Sequence, residues 1–275
     1  MSNVCILTDS TAQFTQPNFP GRDRVYIIPL ELQIGARPAD RGLQRSSESA
    51  QSRLIPPSPQ EFIRFYTRLS HEYDSILVLT LSSLINPTMN NALAACRQYS
   101  NHATVEVVDS QTTAAGLGLL VQTAASAVSG GASLAEVERL VRVSVPHIYI
   151  LFCIPDLMYL AYSGHMDRAQ AMVGEIMGML PIFAIEEGRL VPMEKVRTPR
   201  HLFEAFQDFM GEFESPAHIA LVHGVNHNTL RIRPLRLYIQ ETFPETPFSE
   251  HPIQPHLAAL FGPQSVGLVV METIV

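Results

Sequence analysis

Three stretches of this chain run from apolar residues into hydroxyl and carboxylate side chains. Val4-Cys5-Ile6-Leu7 leads to Thr8-Asp9-Ser10-Thr11-Ala12, Leu79 leads to Thr80-Leu81-Ser82-Ser83, and Val105-Glu106-Val107-Val108 leads to Asp109-Ser110-Gln111-Thr112-Thr113. Such groups hydrogen-bond a small polar ligand, and in open α/β sheets the strand ends are where small ligands are held. Convergence of the three loops would form one binding crevice. Ser82 and Ser83 precede a helical stretch, so their hydroxyls and the adjacent N–H groups suit an anion. The competing use is a helix cap or loop hydrogen bond. Ser10 and Thr11, beside Asp9, equally suit a ligand contact or an Asx or Ser/Thr turn.

Other chemistry finds less support. No Ser-His-Asp set or Gly-x-Ser-x-Gly elbow supplies a hydrolytic nucleophile. His165 next to Asp167 and Arg168 permits a general base, but a solvated loop explains the same residues. His218, His223, His227, His251 and His256 lack the two-His helix spacing with a neighbouring Glu that zinc hydrolases use, so no metal is expected. Gly116 and Gly118 match neither GxGxxG nor GxxxxGK[ST] and are read as allowing close helix packing.

These groups must be positioned by a chain of 275 residues, enough for two compact domains. It is 46% hydrophobic and 16% charged, with mean hydropathy +0.11, which favours an unusually apolar interior. A net charge of −7 without a Lys/Arg block excludes the electrostatic footprint of nucleic-acid binding. Cys5, Cys96 and Cys153 lie far apart in apolar runs and read as reduced, buried thiols. No charged-then-apolar leader and no apolar run near the roughly 18 residues of a membrane span are present, so a soluble cytoplasmic protein without membrane insertion is expected.

Short β-rich runs at Val4 to Leu7, Val25 to Leu30, Ser75 to Leu79 and Thr104 to Val108 alternate with helical ones, the pattern of a parallel sheet with crossover helices. Ser58, Pro59 and Glu61 open one helix with a capping box, Ser133 and Glu136 open another, and a third spans Asn86 to Tyr99. Gly35 to Pro57 is polar and aperiodic, either a flap or an edge excursion. Past Pro146 the pattern changes. A strand at Ile148 to Ile154 precedes a Gly/Met-rich region, a hairpin around Glu186-Glu187-Gly188-Arg189, a helix opened by Thr198 and Pro199, a strand at Ala217 to His223, a helix from about Thr229 with Pro234 in its first turn, and a strand at Val266 to Met271. Two domains are therefore expected, residues 1–145 and 146–275.

In order, the chain carries Thr8-Asp9-Ser10-Thr11-Ala12, Ile28-Pro29-Leu30, Ser58-Pro59-Gln60-Glu61-Phe62, Leu81-Ser82-Ser83, Asp109-Ser110 with Gly116-Leu117-Gly118, Tyr159-Leu160, Gly164-His165-Met166, Glu194-Lys195-Val196-Arg197-Thr198 and Gly262-Pro263 with Gly267. This series, over essentially the whole chain, resembles the DegV family of bacterial fatty-acid-binding proteins. The resemblance implies a two-domain α/β fold: an N-terminal parallel-sheet domain, a smaller C-terminal α/β domain, and an acyl tunnel between them. It implies a long-chain fatty acid as ligand and no cofactor, with the carboxylate held at the polar mouth and Phe, Met, Leu and Ile along the tunnel. In some members a kinase partner receives the carboxylate.

The chain departs from the family at four places. Leu54-Ile55-Pro56-Pro57 stands where the family has Thr-Ser-Gln-Pro, removing a threonine donor. Asn86-Pro87-Thr88-Met89 replaces Ser-Gly-Thr-Tyr, so a ligand-binding serine becomes an amide that still donates. Gly-Arg-Ile becomes Gly164-His165-Met166, exchanging a permanent cation for a titratable imidazole. Leu260 occupies the place of a histidine tied to the kinase partnership, which argues against that partner here. The expectation is a non-catalytic fatty-acid carrier whose head-group contacts come from Ser82, Ser83, Asn86, Thr88, Ser10, Thr11 and His165. The alternatives are a binder or enzyme of a small polar metabolite at the strand-end crevice, and an interaction protein whose cavity is filled by its own side chains.

Overall fold

The computed structural model describes residues 3–34, 52–224 and 232–273. The first half contains β1 (Val4–Asp9), β2 (Val25–Ile28), β3 (Glu31–Ile34), β4 (Ser52–Ile55), α1 (Pro59–Leu69), β5 (Ser75–Thr80), α2 (Thr88–Gln98), β6 (Thr104–Asp109), α3 (Ala114–Ser129) and α4 (Leu134–Ser144). The second contains β7 (Ile148–Cys153), α5 (Met158–Tyr162), α6 (Arg168–Ile176), β8 (Leu180–Glu186), β9 (Arg189–Val196), α7 (Pro199–Met210), β10 (Pro216–His223), α8 (Ile232–Thr242), β11 (Phe248–Pro252), α9 (Pro255–Phe261) and β12 (Val266–Glu272). A four-stranded parallel sheet runs β2-β1-β5-β6. A six-stranded sheet runs β11-β10-β12-β7-β8-β9, antiparallel except for the β10–β11 pair.

Both sheets are covered on both faces, and side-chain alternation divides the residues between layers. In the first sheet, Cys5, Leu7, Ile76 and Val78 pack under α1 and α2 around Phe62 and Tyr66, while Val4, Ile6, Leu77 and Leu79 face the middle of the molecule. In the second, Leu151, Cys153, Leu221 and Leu268 pack against Leu202 and Phe206 of α7 and Leu235 of α8. Its other face, with Ile150, Phe152, Val222 and Val269, joins the same central core as Val4 and Leu79. The two halves thus share one core, with α3 as the layer between them, touching β1, β5, β7, β10 and β12.

Helix starts follow the sequence. Ser58 and Glu61 form the capping box of α1, Ser133 and Glu136 that of α4, and Thr198 accepts from the His201 N–H at the start of α7. Pro234 is the third residue of α8, where its missing N–H has no intrahelical partner to lose. The Gly35 to Pro57 segment lies largely outside the described residues; its end forms β4, paired antiparallel with β3, and places Leu54 in the core. β11 and α9 carry no clear signal in the sequence. Cys5 and Cys153 are buried free thiols, Cys96 is half-buried, and burial pushes Cys5 and Cys153 up to about 12.

The glycines of α3 set how closely the layers approach. A Cβ on Gly118 would stand 1.9 Å from the Gln13 carbonyl oxygen, and one on Gly116 would stand 2.9 Å from Ile148 Cγ2. Backbone cannot yield as a flexible side chain does, so Gly118→Ala is expected to lower unfolding free energy by about 1–3 kcal/mol in urea titrations. An unchanged midpoint would contradict this packing.

Candidate functional site

The three strand-end loops do meet, because β1, β5 and β6 are neighbours. What they meet is chiefly one another. The Asp9 carboxylate, fully buried, accepts from the Thr11 N–H (2.8 Å), the Thr11 hydroxyl (2.6 Å) and the Leu81 N–H (2.6 Å). Burial pushes its carboxyl above the ordinary range, against the pull of these donors. The Ser10 hydroxyl accepts from the Leu30 N–H. The Ser83 hydroxyl donates to Asp109 at 2.5 Å, and the Ser82 N–H donates to the Thr112 carbonyl at 2.8 Å. The Ser110 hydroxyl donates to the Thr80 carbonyl at 2.6 Å.

Ser82 reaches furthest. Its hydroxyl, completely buried, donates at 2.6 Å to the carbonyl of Gly188 at the tip of the β8–β9 hairpin. That tip turns with positive φ at Glu187 (48°) and Gly188 (81°). A Cβ on Gly188 would collide with Ser82 Oγ at 2.5 Å, so glycine permits both the turn and the contact. At the start of α2, the Asn86 amide donates to the Leu54 carbonyl (3.3 Å) and its oxygen accepts from the Thr88 hydroxyl (2.7 Å) and N–H (3.2 Å). The amide therefore ties the start of α2 to β4.

A cavity of about 820 Å³ opens in the second half, between α5 and α6 on one side and the β8–β9 hairpin on the other. Its buried wall is formed by Leu157, Leu160, Pro181 and Phe183, and its rim by the exposed Val173, Met177 and Met193. Met166, Met177 and Met179 of the methionine-rich stretch all line it. Of the seven residues named from the sequence for head-group contact, His165 alone is among those lining this cavity; Ser82, Ser83, Asn86, Thr88, Ser10 and Thr11 sit in the loop network just described. Burial holds the His165 imidazole below its ordinary pKa, with the Ile85 carbonyl from the first half acting in the opposite direction. Asp167, read as a partner for that imidazole, instead caps α6 by accepting from the Ala169 and Gln170 N–H groups.

The C-terminal histidines separate onto two faces of β10 and β11. On the inner face, His218 and His251 each bond through Nε2 to the Ser249 hydroxyl at 2.9 Å. On the outer face, His223 Nε2 lies 3.1 Å from Glu250, which also takes Arg236 of α8. His256 bonds the Leu30 carbonyl at 3.1 Å, and His227 lies outside the described residues. Among the described residues no group of three or more His, Cys, Asp or Glu is placed to hold a metal ion. Likewise, no helix among them is long and apolar enough to cross a membrane.

The sequence profile described as "Uncharacterised protein, DegV family" matches residues 3–273. The chain belongs to the DegV family. A DegV domain-containing protein of Staphylococcus aureus (SAR1438) is 26% identical over 281 residues, covering 99% of this chain and all of its own. Among solved structures, a fatty-acid-binding DegV family protein from Streptococcus agalactiae superposes with a TM-score of 0.84 at 17% identity, covering both chains completely. The fatty acid kinase (Fak) B3 protein of Streptococcus pneumoniae, loaded with linoleic acid, gives 0.80 at 18% identity over 98% of this chain and all of its own. These likenesses establish the DegV fold for this chain.

Two outcomes follow from the polar groups. Asp9→Ala would strand the Leu81 N–H and both Thr11 donors in the core, and should cost about 2–4 kcal/mol of unfolding free energy in urea titrations. Burial, assisted by His251, depresses His218 to about 4, below the 6.5 of an unfolded chain. The folded state then binds fewer protons, so this contribution is complete above pH 6.5 and is lost as pH falls from 6.5 towards 4, by up to about 1.4 kcal/mol per unit. His218→Asn should flatten unfolding midpoints across that window, and an unaltered slope would assign the acid sensitivity elsewhere.

Proposed function

We propose that this DegV family protein binds one long-chain fatty acid in the cavity between α5, α6 and the β8–β9 hairpin and carries it without altering it. The carrying observation is the cavity. About 820 Å³ lies within the roughly 300–1,000 Å³ of small-molecule sites, and its wall of Leu157, Leu160, Phe183 and methionines offers an acyl chain contact without hydrogen-bonding demands. Unbranched, polarisable methionine side chains adapt to a ligand that bends. Structural neighbours described as fatty-acid-binding support the same ligand class.

In this reading the carboxylate approaches His165, and the strand-end loops serve as scaffold. Ser82, Ser83, Ser10, Thr11, Asn86 and Thr88 act indirectly, by fixing the loops and the tip of the hairpin that forms one cavity wall. Strand-end recognition of a polar metabolite is disfavoured because the Ser82, Ser83, Thr11 and Thr88 hydroxyls and the Asn86 amide already donate within the protein. The function is sequestration or transport in the cytoplasm. Leu260, where family members place a histidine tied to a kinase partner, is buried in the shared core, which favours a carrier that does not present its cargo to a kinase. We read the chain as two domains, residues 1–145 and 146–275, that share α3.

Denaturation and solvent extraction of the purified protein should release a fatty acid detectable by mass spectrometry. With delipidated protein, each pair of methylenes removed from a saturated C12–C18 series should weaken binding roughly tenfold until the chain no longer fills the cavity, since a buried methylene contributes about 0.8 kcal/mol. A flat response to chain length, or no binding across the series, would remove the acyl reading.

A further inference from the structure

We propose that Gly174, midway along α6, sets the longest acyl chain that the cavity accepts, because the side chain it lacks leaves volume for the chain to fill. The inference rests on the acyl-binding reading and specifies which fatty acids that site selects.

Gln170, Val173 and Gly174 of α6 line the cavity, together with Met177 just after the helix. Their spacing is i, i+3, i+4, i+7, which puts all four on one helix face and turns that face to the cavity. Val173 and Met177 bring apolar side chains and Gln170 an amide, whereas Gly174 between them brings nothing. A helix interior disfavours glycine, which gives up more backbone freedom on folding than any other residue. What it contributes here is room.

That room is bounded by Leu157. A Cβ on Gly174 would stand 2.5 Å from Leu157 Cδ1 and 3.7 Å from Leu157 Cγ, and apart from its chain neighbours and the backbone of α6 no other atom of the described residues comes within 4 Å. Leu157 lines the same cavity and is buried against the central core, so it has no space to retreat into behind it. α6 rests on α5, and Ala171 is its one buried residue. Moving the helix outward would uncover Ala171 and Leu157 together, whereas turning the end of a leucine side chain into open volume is a rotamer change. A side chain at position 174 therefore takes its space from the cavity, both directly and through Leu157. In a close-packed wall the exchange runs carbon for carbon, each added side-chain carbon displacing about one methylene of the ligand.

The test is competition. Delipidated full-length protein is mixed with equimolar saturated fatty acids from C10 to C18 in one-carbon steps, each below its micellar concentration, and the bound acids are extracted and measured by mass spectrometry. Expected for the wild type is a profile that rises with chain length to an upper limit. Gly174→Ala should lower that limit by about one carbon and Gly174→Leu by about four, with acids two carbons beyond the new limit depleted roughly tenfold and the shortest acids bound as in the wild type. Ala169→Leu adds carbons on the exposed side of the same helix and should leave the profile unchanged. Circular dichroism reports that all three variants fold, which the helix propensity of alanine and leucine favours at position 174. A wild-type profile retained by Gly174→Leu would overturn the proposal while leaving the acyl reading intact. So would a shift towards longer acids, which would mean that α6 moves outward, or an equal shortening in Ala169→Leu. A folded Gly174→Leu variant that binds no acid, beside a Gly174→Ala variant with the wild-type profile, would overturn it as well, by making the position a plug. Absence of every acid from the wild type, together with no lipid in the protein as purified, would instead overturn the acyl reading itself.

Discussion

Asp9 lies at the carboxyl end of β1, fully buried, with three hydrogen bonds converging on its carboxylate from Thr11 and Leu81. A charge or a neutral acid in that position must be satisfied by the protein, and the groups that satisfy it belong to the loops of two adjacent strands. The requirement spreads outward. Ser83 reaches Asp109, Ser110 reaches Thr80, and Ser82 reaches across to Gly188. Each bond answers a local need to pair a buried polar atom, and together they tie the parallel sheet of the first half to a hairpin of the second.

The position of the cavity is a consequence. With the hairpin tip held by Ser82, β8 and β9 stand away from α5 and α6, and the space between is lined by Leu157, Leu160, Phe183 and methionines. Little of that lining carries a fixed charge, so the cavity selects for apolar volume. His165, Gln170, Glu194 and Lys195 are the polar members of the lining. Leu54 and Asn86, far apart in the chain, are brought together. Asn86 donates to the Leu54 backbone carbonyl, and its own side-chain oxygen accepts from Thr88.

Of the residues named from the sequence for ligand contact, His165 alone lines the cavity, and the others lie in the strand-end loops. The strand-end hydroxyls were correctly seen to converge, because strand order in a parallel sheet brings successive loops together. Their partners were not visible: Ser82 bonds a carbonyl 106 residues away, a contact that depends on a turn in another sheet. Asp167 looked like a companion for His165, yet local geometry made it a helix cap, the commoner use of Asp before a helix. The methionine-rich stretch gave a fair hint of the cavity, since flexible apolar side chains in a glycine-bearing segment suit a site that must adapt.

Local rules were enough for the strands of the first sheet, the capped starts of α1, α4 and α7, and the close packing at Gly116 and Gly118. These depend on alternation, on capping side chains within three residues, and on the absence of a Cβ, all of which are written along the chain. The ordered series of family segments likewise carried the DegV fold. Only the tertiary structure decided that α3 would be shared by both sheets, that Ser82, Ser83 and Ser110 would bond to carboxylate and carbonyl groups of the protein, and that the open volume would lie under α6 with His165 in its lining. Those outcomes depend on which groups are left unpaired once the layers close. That is a property of the packed molecule, set by contacts between residues far apart in the chain.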